Sequence, residues 1–290
     1  TARLAVDEDQ VRDSDRYHIS EEVAVVAFDT AQGLFSNVSE TIGFNAETTT
    51  HYHDGSGLHW GDLDNDGDLD AIATGNRSKR FINQNAGQSF VARPFGGGSR
   101  ERQGAFVDID NDGDLDFWTR DERMYLNNGS GGLTDAGHID FRAPSNNEAV
   151  AASDVNQDGW CDLLMFSTNG NWIGFNQQTS PPTISETDEA SYGLNDRRDE
   201  GNGDYCSSGD VNNDGRLDFF YHYRGGKLFL SNSDGTFSEN DRGIHVETGN
   251  NEKFGSAWGD YDNDGDLDLF VPRYDSGRRG YLWRNDGQRF

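Results

Sequence analysis

Residues 60–70 read Trp60-Gly-Asp-Leu-Asp-Asn-Asp-Gly-Asp-Leu-Asp70, and the nonapeptide that starts at Asp62 returns four more times. The further copies are Asp108-Ile-Asp-Asn-Asp-Gly-Asp-Leu-Asp116, Asp154-Val-Asn-Gln-Asp-Gly-Trp-Cys-Asp162, Asp210-Val-Asn-Asn-Asp-Gly-Arg-Leu-Asp218 and Asp260-Tyr-Asp-Asn-Asp-Gly-Asp-Leu-Asp268. Their first aspartates lie 46, 46, 56 and 50 residues apart, and self-similarity on that scale denotes a repeat architecture. Every copy keeps Asp or Asn at positions one, three and five, Gly at six and Asp at nine.

That order has a chemical reading. Calcium takes six to eight hard oxygens at about 2.3–2.6 Å, and alternate residues of a tight loop aim their side chains at one centre. Glycine at position six permits the sharp turn. Position seven is Asp68, Asp114, Trp160, Arg216 or Asp266, so only its backbone carbonyl can be a common ligand. The expected cages are therefore Asp62, Asp64, Asp66, Asp68 and Asp70; Asp108, Asp110, Asp112, Asp114 and Asp116; Asp154, Asn156, Asp158, Trp160 and Asp162; Asp210, Asn212, Asp214, Arg216 and Asp218; and Asp260, Asp262, Asp264, Asp266 and Asp268. Five Ca2+ ions would reduce the formal charge of −28 to −18. A single Asp-rich loop is equally well a solvated turn. Five in one ligand order, each crowding carboxylates that repel without a cation, point to calcium.

The flanks are strand-like. Leu58-His-Trp60, Ala105-Phe-Val107, Ala149-Val-Ala-Ala152 and Ser256-Ala-Trp258 precede the loops. Ala71-Ile-Ala-Thr74, Phe117-Trp-Thr119, Leu163-Leu-Met-Phe166, Phe219-Phe-Tyr221 and Leu269-Phe-Val271 follow them. Each loop thus joins a hairpin. A third strand ends in a polar turn at Asn85, Asn128, Asn176, Asn232 and Asn285, and weaker fourth strands occur at Ser89-Phe-Val91 and Thr236-Phe-Ser238. Four antiparallel strands per repeat are the pattern of a propeller blade. The first 54 residues fit the same frame, with Val23-Ala-Val-Val-Ala-Phe28 as strand three and Leu34-Phe-Ser-Asn-Val38 as strand four. Arg12 replaces the loop glycine there, so no calcium is expected in that loop. The predicted fold is a single all-β propeller over 1–290 with six blades at 1–54, 55–99, 100–146, 147–202, 203–252 and 253–290; seven is the alternative.

The segments 60–70 and Trp258-Gly-Asp-Tyr-Asp-Asn-Asp-Gly-Asp-Leu-Asp-Leu-Phe-Val271 resemble the FG-GAP/VCBS-type calcium-binding repeat, as do Tyr281-Leu-Trp-Arg-Asn-Asp-Gly287 and Phe35-Ser-Asn-Val-Ser-Glu-Thr-Ile-Gly43. The resemblance covers residues 55–290 well and 1–54 poorly. It implies the blade of integrin α-heads and of secreted lectin-like propellers. Because that family spans adhesion heads, lectins, spacers and parts of polysaccharide lyases, it implies no single function.

Composition narrows the classes. With 52 acidic residues against 24 basic ones, the surface repels phosphate backbones and anionic lipid, which argues against nucleic acid as a partner. No apolar run approaches the ~18 residues of a membrane span, so membrane insertion is not expected. Five calcium loops suit millimolar extracellular calcium, so the chain is expected to be secreted or at a cell surface; it begins at Thr1 with no apolar leader segment, so either a leader was removed or the sequence is trimmed. The first functional reading is a non-enzymatic, calcium-stiffened module that binds glycan or a protein partner. The second is a polysaccharide lyase or hydrolase using His51, His53, Tyr221 or His222; the third is an architectural domain of a longer surface protein. His51, His53 and His59 are the most suggestive cluster outside the loops, yet no nucleophile or second histidine pair has a recognisable spacing. Trp118, Trp172, Trp258, Trp283 and Tyr125 recur at strand positions that suit blade packing, whereas Trp160 stands at loop position seven and is the candidate ligand contact. Cys161 and Cys206 occupy apolar positions of adjacent blades, and both free thiols and a disulfide are compatible with that.

Overall fold

The apolar runs on either side of each acidic nonapeptide pair with each other. A computed structural model describes residues 37–44, 57–75, 78–84, 86–95, 103–139, 147–167, 171–194, 205–221, 226–240, 243–244, 255–272 and 280–287. In the first sheet β1 (Leu58–Gly61), β2 (Asp70–Ala73), β3 (Lys79–Gln84) and β4 (Ser89–Pro94) lie antiparallel in chain order. The second holds β5 (Gly104–Val107), β6 (Asp116–Thr119), β7 (Arg123–Leu126) and β8 (Thr134–His138). The third holds β9 (Asn147–Ser153), β10 (Asp162–Ser167), β11 (Trp172–Asn176) and β12 (Ile184–Asp188). The fourth holds β13 (Cys206–Gly209), β14 (Asp218–Tyr221), β15 (Lys227–Ser231) and β16 (Phe237–Glu239). The fifth has three strands among the described residues, β17 (Ala257–Gly259), β18 (Asp268–Val271) and β19 (Tyr281–Trp283).

The first strands β1, β5, β9, β13 and β17 neighbour one another in that order, so they line the axis of a β-propeller. Register repeats from blade to blade: Gly61 opposes Asp70, Val107 opposes Asp116, Ser153 opposes Asp162, Gly209 opposes Asp218 and Gly259 opposes Asp268. Position nine of each loop is therefore also the first residue of the second strand.

Because side chains alternate across a strand, every sheet has two faces, and both are apolar. The face toward the next blade will be called trailing and the other leading. Leu63 and Ile72 of the first blade pack on Phe106, Phe117 and Tyr125 of the second. Ile109, Trp118 and Met124 pack on Val150, Leu163 and Met165. Leu164, Phe166 and Ile173 pack on Phe219, Tyr221 and Phe229. Val211, Phe220 and Leu228 pack on Trp258, Leu269 and Val271. The core is thus divided into slabs between blades, with burial of roughly 1.5–3 kcal/mol per large apolar side chain holding neighbours together.

The expected six blades, or seven, are corrected by the structure: the described residues build five. The physical reason lies in the loops. Each of the five blades has its first three strands tied by an intact acidic nonapeptide, and residues 1–54 carry no intact copy. The strands expected at Val23–Phe28 and most of Leu34–Val38 lie outside the described residues, as do His51 and His53. Of that region, residues 37–44 are described, as a turn at 39–43 followed by Phe44, which packs against Trp60, Phe81 and Phe90.

Candidate metal centres

All five loops fold identically, for a reason local to each nonapeptide. The carboxylate at position one caps the turn: one oxygen accepts the N–H of position five at 3.0–3.2 Å and the other that of Gly at position six at 2.7–3.0 Å. The position-five carboxylate accepts the N–H of position seven at 2.9–3.0 Å. Position four is left-handed in every copy: Asn65 (φ 59°), Asn111 (57°), Gln157 (59°), Asn213 (55°) and Asn263 (62°). Asn tolerates that region better than most residues.

These turns leave oxygens aimed at one another. Carboxylate oxygens of Asp62, Asp64 and Asp66 lie within 4.8 Å of one another, as do those of Asp108, Asp110 and Asp116, and of Asp260, Asp262 and Asp268. Asp64 Oδ1 and Asp110 Oδ1 are buried with no hydrogen-bond partner. Burial, and then repulsion from Asp66 and Asp62, raises the pKa of Asp64; burial, Asp112 and Asp108 do the same for Asp110. A buried carboxylate oxygen without a donor, beside two further carboxylates, is unfavourable alone and favourable against a cation. The donor set is all oxygen and suits a hard divalent ion. In the third and fourth loops Asn156 and Asn212 stand at position three, where their amides donate or accept within the loop: Asn156 Nδ2 donates to Asp158 Oδ2 at 3.0 Å, and Asn212 Oδ1 accepts from Asp214 N at 3.1 Å.

Position nine does something the sequence did not disclose. Asp70, Asp116, Asp162, Asp218 and Asp268 are buried. One oxygen of each accepts the N–H of loop position two (Leu63, Ile109, Val155, Val211, Tyr261) at 2.8–3.1 Å. The other accepts a third-strand N–H (Asn83, Asn176, Ser231) or that of Asn127 or Asn285, just past β7 and β19, at 2.6–2.9 Å. Each aspartate therefore pins three strands. Desolvation moves Asp116 up to about 8, Asp162 and Asp218 to about 7 and Asp70 to about 6, although the two N–H donors oppose the shift.

Position seven differs from loop to loop, and in the fourth the Arg216 guanidinium pairs with Asp214, position five of its own loop. Asp68 Oδ2 accepts Ala86 N at 2.9 Å in the turn between β3 and β4, and Arg216 Nε donates to Ser231 O at 3.1 Å. Trp160 is half-buried, its N–H on Asp158.

Adjacent blades are also joined by amides. Asn127 Nδ2 donates to Leu115 O at 3.0 Å in its own loop and to Leu63 O at 2.8 Å in the preceding blade. Asn176 does this with Cys161 O and Ile109 O, and Asn285 with Leu267 O and Val211 O. Sequence reasoning took these asparagines for turn residues; their recurrence just past an apolar third strand was the available signal.

The remaining candidates fall into the slabs. His59 is buried on the trailing face of β1, edge-on to Phe117 with ring centroids 5.3 Å apart, and burial lowers its pKa to about 4, so it is neutral. Tyr221 is buried between the third and fourth blades, and His222 lies outside the described residues. Trp118, Tyr125 and Trp258 are buried between blades, with Trp172 and Trp283 packed at the margins. Cys161 and Cys206 are free thiols in two different slabs.

A family model described as an FG-GAP-like repeat matches residues 62–119 and 201–271, so the resemblance read from the loops is borne out. No curated protein sequence matches significantly. Among solved structures, a lectin of Agrocybe aegerita, described as recognising non-reducing terminal N-acetylglucosamine, superposes with a TM-score of 0.54 at 19% identity. The match covers 81% of this chain and 67% of the lectin. A chain from the structure of BBS1N in complex with ARL6DN gives 0.42 at 10% identity, covering 79% of this chain and 67% of the other. The V. cholerae biofilm matrix protein Bap1 gives 0.39 at 15%, covering 77% of this chain and 36% of Bap1. At 19% identity the likeness to the lectin bears on the fold alone. Among the described residues, no helix is long and apolar enough to cross a membrane.

Proposed function

We propose that this chain, a propeller carrying FG-GAP-like repeats, is a calcium-stiffened recognition module that binds glycan or a protein partner outside cells. The observation that carries the calcium part is the pair of buried, donor-less oxygens on Asp64 and Asp110, each within a carboxylate cluster. Five Ca2+ ions, one per nonapeptide, bound by the oxygens at positions one, three, five and nine and the carbonyl at seven, are the proposed complement. Calcium supplies charge neutralisation there; the protein supplies loops already turned into shape by their own N–H groups. Calcium at extracellular concentration saturates even weak sites of this kind, which is the reason for assigning the module to a secreted or surface protein.

Recognition rests on the fold shared with the lectin propeller and on the absence of an assembled catalytic group among the described residues, where His59 and Tyr221 are core side chains. Trp160 is the proposed first contact, because it alone places an aromatic surface at position seven, beside a loop and half-open to solvent. A glycan array probed with the purified chain, with calcium and again with excess chelator, tests the reading. Binding that is lost on chelation and weakened by Trp160→Ala supports it. New unsaturated uronic ends released from acidic polysaccharides would replace it with a lyase, and no binding to glycans or surface-protein libraries would leave an architectural domain.

A further inference from the structure

The five loops share one backbone but not one charge. The first, second and fifth carry five carboxylates each, the third and fourth three. Among the described residues, only the fully acidic loops bring three carboxylates within 4.8 Å of one another. The side chains at positions three and five differ accordingly. Asp64 Oδ1 and Asp110 Oδ1 are buried without a donor, whereas Asn156 Oδ1 and Asn212 Oδ1 accept the N–H of position five at 2.9 and 3.1 Å. At position five, one oxygen of Asp66, Asp112 and Asp264 accepts the N–H of position seven, and the other meets no N–H donor among the described residues. In the third loop that second oxygen is taken: Asp158 Oδ2 accepts from Asn156 Nδ2 and Gln178 Nε2, each at 3.0 Å. In the fourth, Asp214 Oδ2 accepts from the Arg216 guanidinium.

We propose that Arg216 is the resident counter-cation of the fourth loop, so that this loop, with the amide-filled third, takes calcium more weakly than the other three and loads after them. This loading order rests on the calcium reading of the loops. Three carboxylates less one guanidinium leave the fourth nonapeptide at −2, against −5 in each fully acidic one. Oxygen-lined calcium loops set their affinity by ligand charge count and rigidity over several decades. An ion reaching Asp214 must displace a charge-assisted hydrogen bond, and one reaching Asp66 or Asp112 has no protein donor to displace there. The guanidinium is also anchored from behind. Its Nε donates to Ser231 O at 3.1 Å on β15, and Ser231 N donates to Asp218 Oδ1 at 2.8 Å. One arginine thus ties position five to the third strand that position nine already holds, a neutralising and clamping role that falls to the ion where position seven is Asp.

Calcium uptake by the intact chain, measured in competition with a chromophoric chelator, tests this. Wild type is expected to bind three ions roughly ten-fold or more tighter than the remaining two. Arg216→Gln is expected to strengthen one weak site about five-fold or more, with the tight class unchanged. In excess chelator the same variant is expected to lower Tm by about 2 °C or more, because Asp214 loses its counter-charge. Unfolding of Arg216→Gln in chelator that calcium reverses is the same result in stronger form. Arg216→Lys keeps the charge and is expected to keep the weak site. Five ions of one affinity in wild type leave the calcium reading standing and overturn the proposal. So does an Arg216→Gln variant with an unaltered weak class, or with the wild-type Tm in chelator. A wild type that retains no ion overturns the calcium reading itself, and the loading order with it.

Discussion

Asn65 Nδ2 donates to Asp114 Oδ1 across 2.6 Å, joining position four of the first acidic loop to position seven of the second. The same bond recurs between the fourth and fifth loops, where Asn213 Nδ2 reaches Asp266 Oδ1 at 2.7 Å. The left-handed turn that closes one loop thus presents its amide to the next blade, and the acidic loops are linked in pairs along one rim of the propeller. Asn111 has no such acceptor to meet, because the next blade carries Trp160 at position seven.

Asn65→Ala and Asn213→Ala should each destabilise the calcium-loaded chain by about 1 kcal/mol, the value of an exposed hydrogen bond to a charge, while Asn111→Ala should cost less. Denaturant unfolding of the three variants checks the order. Equal effects from all three would mean that the left-handed backbone, and not the clasp, is being measured.

Removing a cage ligand and removing a strand staple should look different. Asp112→Ala should lower Tm in calcium and reduce the titrated stoichiometry by one ion, with little change in excess chelator. Asp116→Ala removes a cage oxygen and also leaves the buried N–H groups of Asn127 and Ile109 without acceptors, at about 1–3 kcal/mol each, so unlike Asp112→Ala it should destabilise in excess chelator as well as in calcium. Calorimetric titration with paired melts under both conditions separates the two.

Asn127→Ala should cost about 2 kcal/mol, because one amide group serves Leu115 O and Leu63 O together. Asn127→Asp should be no better, since it puts an acceptor against two acceptors. A stable aspartate variant would show that the bridge is dispensable.

His59 gives the fold an acid-sensitive element. Its pKa is about 4 in the folded chain and ordinarily 6.5, so the unfolded chain takes up the proton first as pH falls. Stability from this group is intact above pH 6.5 and is lost progressively down to pH 4, by about 3 kcal/mol in all. The stability difference between wild type and His59→Leu, measured against pH, should be flat above 6.5 and change below it; a flat difference down to pH 4 would place the imidazole in water.

The loop grammar made a surprising amount of this readable. Positions one, three and five carry the oxygens, Gly67 and its equivalents close the turn, and position seven cannot be a side-chain ligand if Trp160 and Arg216 serve there. All of that is settled within nine residues. The paired runs around each loop were readable too, since a short turn leaves little choice but a hairpin. Position nine was read as one more cage oxygen, and its second task was hidden because the N–H groups it accepts lie on other strands. Asn83, Asn127, Asn176 and Asn285 looked like ordinary turn residues for the same reason.

The sequence by itself therefore determined the five loops, their hairpins and the repeated order of apolar faces, because these depend on near neighbours and on the two-residue period of a strand. Only the tertiary structure decided which carbonyl 64, 67 or 74 residues away an asparagine would meet, that His59 sits dry against Phe117, and that the described sheets number five with Phe270 and Leu282 at an open end. Those outcomes follow from how one blade's face seats on the next, a fit of whole surfaces that no nine-residue pattern contains.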